Sequence, residues 1–195
     1  MRTAIFKAPA SGRVAIRGVN LEGDDQADRS VHGGRDKAVY AYSAADYAWW
    51  GASLGSEPAP GTFGENVTVA MVGALGDAIV GERWLVGTSQ LEVCQPRLPC
   101  YKLGMRMGDP MFVKRFAAAG RPGSYLRIVQ PGDVGSGDLI TLLHRPDHKV
   151  SVGLVGRALL GNHDLAAQLA VADALPEWLM EWVQDRLSDG GLEPD

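Results

Sequence analysis

No stretch of the chain approaches the ~18 consecutive apolar residues that a membrane-spanning helix needs. The opening segment MRTAIFKAPASGRVAIRG also has no apolar signal core with a small-residue cleavage site. The expected location is the cytoplasm, with no membrane partner. Basic charge is scarce: 19 Lys and Arg stand against 23 Asp and Glu, for a formal net charge of -4. No basic stripe is left to displace counterions from a phosphate backbone, which argues against nucleic acid as a partner. Cysteine occurs only as Cys94 and Cys100. Their spacing is not that of C-x-x-C, and a reducing compartment disfavours a bridge, so each thiol is weighed alone. A GxGxxG nucleotide fingerprint and an iron–sulfur set of cysteines are both missing.

Glycine, by contrast, is abundant: its 25 residues are roughly double the usual share of about 7%. They fall between short apolar runs, which reads as many tight turns and hence a mainly β fold. At 195 residues the chain can bury a core without disulfides or structural metals. Residues 1–20 alternate apolar and polar and read as a hairpin turned around Pro9 to Gly12. Lys37 to Tyr42 is a strand, after which Ser43 caps a helix to about Leu54, with Asp46 placed to complete a capping box. Residues 64–70 and two segments within 76–94 are further strands. Asp109 caps a helix that runs to Ala119 and stops at Gly120. Residues 124–129 and 138–144 read as the final hairpin of a small barrel. The composition then shifts, dividing a domain at 1–149 from a helical segment at 150–195. Trp178 and Trp182 share one face of its last helix, so homodimerisation through that face is weighed beside simple packing.

Three segments could carry chemistry. In Gln95-Pro96-Arg97-Leu98-Pro99-Cys100-Tyr101-Lys102, two prolines fix the backbone after a strand end. Arg97 and Lys102 flank Cys100, and neighbouring cations favour the thiolate, a soft ligand for soft metal centres. Cys94, on an alternating strand, reads as a buried structural residue. In His32-Gly33-Gly34-Arg35-Asp36-Lys37, the glycines let backbone N–H groups converge on an anion, with His32, Arg35 and Lys37 as added donors. His32 has no second histidine at zinc-ligand spacing, and His144 and His148 read as surface residues. In Gly61-Thr62-Phe63-Gly64-Glu65-Asn66, Glu65 and Asn66 stand at a strand entrance. One can accept hydrogen bonds there; the other can donate and accept.

Taken in order, HGGRDKAVYAY, GTFGENVTV, QPRLPCYKL and GSYLRIVQPGDVGSGD resemble the MOSC domain, named for the C-terminal domain of molybdenum cofactor sulfurases. The resemblance covers roughly residues 20–145 and is greatest to the stand-alone bacterial branch associated with resistance to 6-N-hydroxylaminopurine. It implies an antiparallel β-barrel with peripheral helices and a molybdopterin-type molybdenum cofactor. Cys100 would be the catalytic cysteine and metal ligand. Cofactor-binding positions would be His32, Gly33, Gly34, Lys37, Glu65, Asn66 and Arg97. The implied activity is reduction of N-hydroxylated small molecules such as hydroxylaminopurines or amidoximes. A redox partner protein would supply the electrons. Two other readings use the same residues: a cofactor carrier or sulfur-transfer protein, and a cysteine-dependent transferase or hydrolase with His32 as base.

Overall fold

The computed structural model describes residues 4–24, 33–70 and 73–189. Nine strands and six α-helices are named along these residues. A small sheet pairs β1 (Val14–Arg17) with β2 (Asn20–Leu21) and β8 (Gly132–Val134), all antiparallel. The larger sheet has the order β4-β3-β7-β6-β5-β9. Its members are β3 (Val39–Ser43), β4 (Val67–Val69), β5 (Arg83–Val86), β6 (Ser89–Pro96), β7 (Ser124–Gln130) and β9 (Ile140–His144). The β3–β4 pair is parallel and the other pairs are antiparallel.

The expected closed antiparallel barrel is therefore corrected to an open, mixed sheet beside a smaller one. Helix, at 34%, exceeds strand, at 25%. The hairpin expected over residues 1–20 is replaced by a shorter one, in which Ile16 pairs with Leu21. The expected final hairpin is not formed: β7 joins β3 and β6, β8 joins β1, and β9 joins β5. PGDVGSGD contains β8 itself as well as a turn, and the strand partners lie far away in sequence, where turn chemistry gives no information.

Local capping signals hold more closely. α1 (Ala44–Leu54) starts at Ser43, whose hydroxyl accepts from the Ala45 N–H, and ends at Gly55 in the left-handed region. Asp46 does not complete a capping box; its buried carboxylate pairs with Arg121. α2 (Tyr101–Met107) is a helix that the sequence patterns did not indicate. α3 (Phe112–Ala119) follows Asp109, whose Oδ1 accepts from the Met111 N–H at 2.8 Å. The tail contains α4 (Val152–Leu159), α5 (Ala166–Leu169) and α6 (Glu177–Asp189). No helix among the described residues is long and apolar enough to cross a membrane.

Alternation along β3 sends its side chains into two apolar clusters. Val39 and Ala41 join a large aliphatic core with Val93, Leu126, Val152, Val155, Leu179 and Val183. Tyr40 and Tyr42 join an aromatic cluster with Trp50, Phe63, Phe112 and Phe116. Trp50 and Phe116 stack with planes 4° apart and centroids at 5.9 Å. Gly123 sits where β7 meets β3, with φ of 67°; a Cβ there would lie 2.6 Å from the Ala41 carbonyl oxygen. Only glycine permits that approach.

Candidate functional site

β6 runs between β7 and β5 and is buried along most of its length. Where it ends, Arg97, Leu98 and Pro99 carry the chain to Cys100 and α2. Cys100 is a free, partly exposed cysteine in extended conformation, and its side chain does not cap α2. Arg97 is buried, with 6% exposure. Its guanidinium carbon lies 5.5 Å from the Phe116 ring centre and 5.9 Å from that of Tyr40. The Nη1 group is buried and has no hydrogen-bond partner among the described residues. A desolvated guanidinium donor left unpaired is costly, and its retention points to a ligand that completes it.

Tyr125 pairs across the strands with Gln95 and packs its ring 5.2 Å from Tyr40. The hydroxyls of Tyr40 and Tyr42 donate to the carbonyls of Pro122 and Arg121, and that of Tyr47 donates to Glu65. Tyr125 makes no comparable bond among the described residues. Burial pushes its phenol pKa up, the Arg97 charge draws it back, and Cys100 and Cys94 add to the rise. Tyr125 is thus within electrostatic reach of both Arg97 and Cys100.

The glycine-rich segment reaches the same strand end. Gly34 has φ of 95° and precedes a 3-10 turn over Arg35–Lys37. The Asp36 carbonyl accepts from Gln95 Nε2 at 3.0 Å and from Cys94 Sγ at 3.0 Å. The Asp36 carboxylate lies 2.9 Å from Arg127 Nε. These bonds pin the turn across β6 and β7. Lys37 is half-buried there; burial lowers its pKa, and the neighbouring Asp36 opposes the shift. Cys94 is fully buried, and burial pushes its thiol up to about 12. It is a packing residue.

The structure thus sets Lys37 beside Asp36 and Cys94 near the end of β6, the strand that Arg97 and Cys100 follow. His32 lies outside the described residues. Glu65 and Asn66 serve the chain itself. Asn66 Oδ1 accepts from the Tyr40 N–H at 2.8 Å, and Nδ2 donates to Asp24 at 2.6 Å. Buried Glu65 accepts from the Gly61 N–H at 2.7 Å, from Thr68 at 3.0 Å and from Tyr47. Gln95 and Tyr125 are the additions that sequence reasoning missed. Gln95 stood within a flagged motif without a role. Tyr125 gave no signal, because only the β6–β7 register brings it opposite Gln95.

Among the described residues no three His, Cys, Asp or Glu side chains converge as a metal cluster. The donor set instead comprises one accessible thiol, a buried guanidinium with an unpaired N–H, and a half-buried lysine. It fits an anionic group that brings most of its own metal ligands and needs one sulfur from the protein.

Residues 28–141 match the MOSC domain family, and the chain belongs to that family. Among relatives, it is 34% identical over 177 residues to the uncharacterized protein YflK of Bacillus subtilis, covering 91% of this chain and 79% of YflK. It is 34% identical over 178 residues to a protein of Gibberella moniliformis named "Reductase", covering 89% of this chain but only 31% of that protein. The crystal structure of YiiM from Geobacillus stearothermophilus superimposes with a TM-score of 0.79 at 28% identity, covering 94% of this chain and 88% of YiiM.

Proposed function

We propose that this chain binds a molybdenum cofactor of the molybdopterin type and reduces N-hydroxylated small molecules with it. The observation that carries the reading is the buried Arg97 Nη1, without a partner among the described residues, beside a segment that presents an accessible thiol. Membership of the MOSC family and the relative named as a reductase support it. When bound, the cofactor would supply the two-electron chemistry of N–O bond cleavage. Cys100 Sγ would ligate the metal. Arg97 and Lys37 would hold the anionic groups, and the backbone at Gly33 and Gly34 with His32 would add donors. Glu65 and Asn66 would act by fixing the loop and strand that border the pocket. The oxygen leaving the substrate departs as water and must gain protons. Tyr125, whose hydroxyl bonds to no carbonyl among the described residues, would donate at that point.

Electrons would come from a partner protein. The α2–α3 surface beyond Cys100 carries Lys102, Arg106, Lys114 and Arg115 against Asp109 alone. Tyr101, Met105 and Met111 are exposed among these charges. Such a face suits an acidic electron carrier.

Anaerobically purified protein, reconstituted where needed, tests the reading by metal analysis and fluorescence of released pterin. Wild type should hold molybdenum and pterin. Cys100→Ser should keep its fold and pterin, with reduction of a hydroxylaminopurine by an artificial donor falling at least about 100-fold. Arg97→Ala should lose pterin. A reconstituted wild type without pterin or molybdenum would end the proposal; a loaded protein that never turns over would support the carrier reading.

A further inference from the structure

Between the segment leading to Cys100 and the C-terminal helices lies a cleft of about 150 Å³. Leu98 and Pro99 form one wall, Phe116 and the end of α3 a second, and α4 the third. On α4 the cleft is lined by Gly153 and Gly156. The two glycines differ. A Cβ on Gly153 would come within 3.0 Å of the Gly76 carbonyl oxygen, so close packing requires the missing side chain. A Cβ on Gly156 would meet Pro96 and Pro122 at 3.8–3.9 Å, which is ordinary contact. Packing does not demand glycine at 156, whose backbone forms part of the cleft wall.

Charge narrows the occupant. Arg121 and Arg157 both line the cleft, and no acidic side chain does. Arg121 is fixed: Nη1 pairs with Asp46, and its guanidinium carbon lies 4.7 Å from the Trp49 ring centre. Arg157 is exposed on α4 and has neither an ion pair nor a hydrogen-bonded side chain among the described residues. Asn162 stands at the rim, and its side chain caps nothing. Leu98 and Leu160, both partly exposed, flank the opening. Apolar walls with one uncompensated guanidinium, that of Arg157, beside the Asp46-paired Arg121 select an apolar body carrying one anionic group.

We propose that this cleft is a binding site for a small aromatic carboxylate or phosphate. The anionic group would sit between Arg121 and Arg157, with the ring against Phe116, Leu98 and Pro99. The site is separate from the one built on Cys100 but shares its wall: Phe116 also packs under Arg97, and Pro99 immediately precedes Cys100. An occupied cleft would brace the segment that presents the thiol.

Ligand-observed NMR on the full chain without cofactor tests this, using benzoate, phenyl phosphate and neutral benzamide as probes. At least one anion should bind saturably and about tenfold more tightly than benzamide, since a charge-assisted contact is worth roughly that factor. Arg157→Ala, a substitution on an exposed position, should erase the preference for the anion. Gly156→Leu should abolish binding of all three probes. Equal binding of benzoate, phenyl phosphate and benzamide, an unchanged preference in Arg157→Ala, or no binding by the wild type would overturn the proposal. None of these readouts depends on molybdenum or on turnover, so the two proposals fail separately.

Discussion

Cys94 and Cys100 are six positions apart and live in opposite surroundings. Cys94 Sγ is enclosed, donating to the carbonyls of Asp36 and Tyr125 at 3.0 and 3.2 Å. Cys100 is partly exposed beyond the strand end. Iodoacetamide at pH 8 should therefore label one thiol per native chain, at Cys100, and the second only after unfolding; mass spectrometry of the peptides decides it. Cys94 also makes a prediction about pH. Its pKa is raised from 9.0 to about 12, so the unfolded chain loses this proton first. Its contribution to stability is full below about pH 9 and is lost as pH rises toward 12, with a slope of ~1.4 kcal/mol per unit. The buried phenols act with the same sign in any variant, so they cancel in a comparison. The stability advantage of wild type over Cys94→Ala, read from urea midpoints, should shrink between pH 8 and pH 10.5; parallel curves would refute the shielding. At this scale the sequence was legible where chemistry is local. Prolines and flanking cations marked Cys100 and Arg97. Nothing local marked Tyr125, because its neighbours arrive from β3 and β6.

Elements were legible at their ends more than in their pairing. Ser43 and Asp109, both read as caps, accept a backbone N–H at or just before a helix start, and Gly120 ends α3 in the left-handed region; Ser151 and Gly55, not singled out in the sequence, do the same for α4 and α1. Those bonds span two or three residues, so the pattern is written locally. Strand partners are not. The single parallel pair, β3 with β4, depends on a clip that no periodicity reveals: Asn66 donates its N–H to the Tyr40 carbonyl and accepts the Tyr40 N–H through Oδ1, both at 2.8 Å. Asn66 thus extends the ladder with its side chain and places β3 for the aromatic cluster beside Arg97. Asn66→Ala leaves the Tyr40 N–H without its acceptor and frees Asp24 from its amide partner. The expected cost is about 1–3 kcal/mol, measured by chemical denaturation. Asn66→Asp keeps the acceptor but turns a donor into a charge facing Asp24, so it should be no better. A variant as stable as wild type would show that the clip does not hold the pair.

At the scale of the molecule, composition marks a change near residue 150 that packing ignores. Val152, Val155, Leu169, Leu179 and Val183 from the tail belong to the same core as Val39, Val93 and Leu126 from the large sheet. Polar contacts cross the same line: Arg127 on β7 donates to the Ala174 carbonyl at 2.9 Å while its Nη1 pairs with Glu92 at 3.1 Å. The sequence could show that the tail is helical, since capping and apolar spacing are local, but not that its faces complete the sheet's core. A chain ending at Leu175 would lack Leu179 and Val183, both wholly buried. Burying each such side chain is worth about 1.5–3 kcal/mol, and a domain of this size has only about 5–15 kcal/mol in hand. The full chain should melt in one transition, coincident by circular dichroism and tryptophan fluorescence. The 1–175 chain should lose that cooperative transition and expose apolar surface to a hydrophobic dye. If it instead melts cooperatively and near the wild-type temperature, the sheet carries its own core and the tail is an appendage. Loss of cooperativity would make α4, and with it the wall of the arginine-lined cleft, part of the unit that holds Cys100 in place.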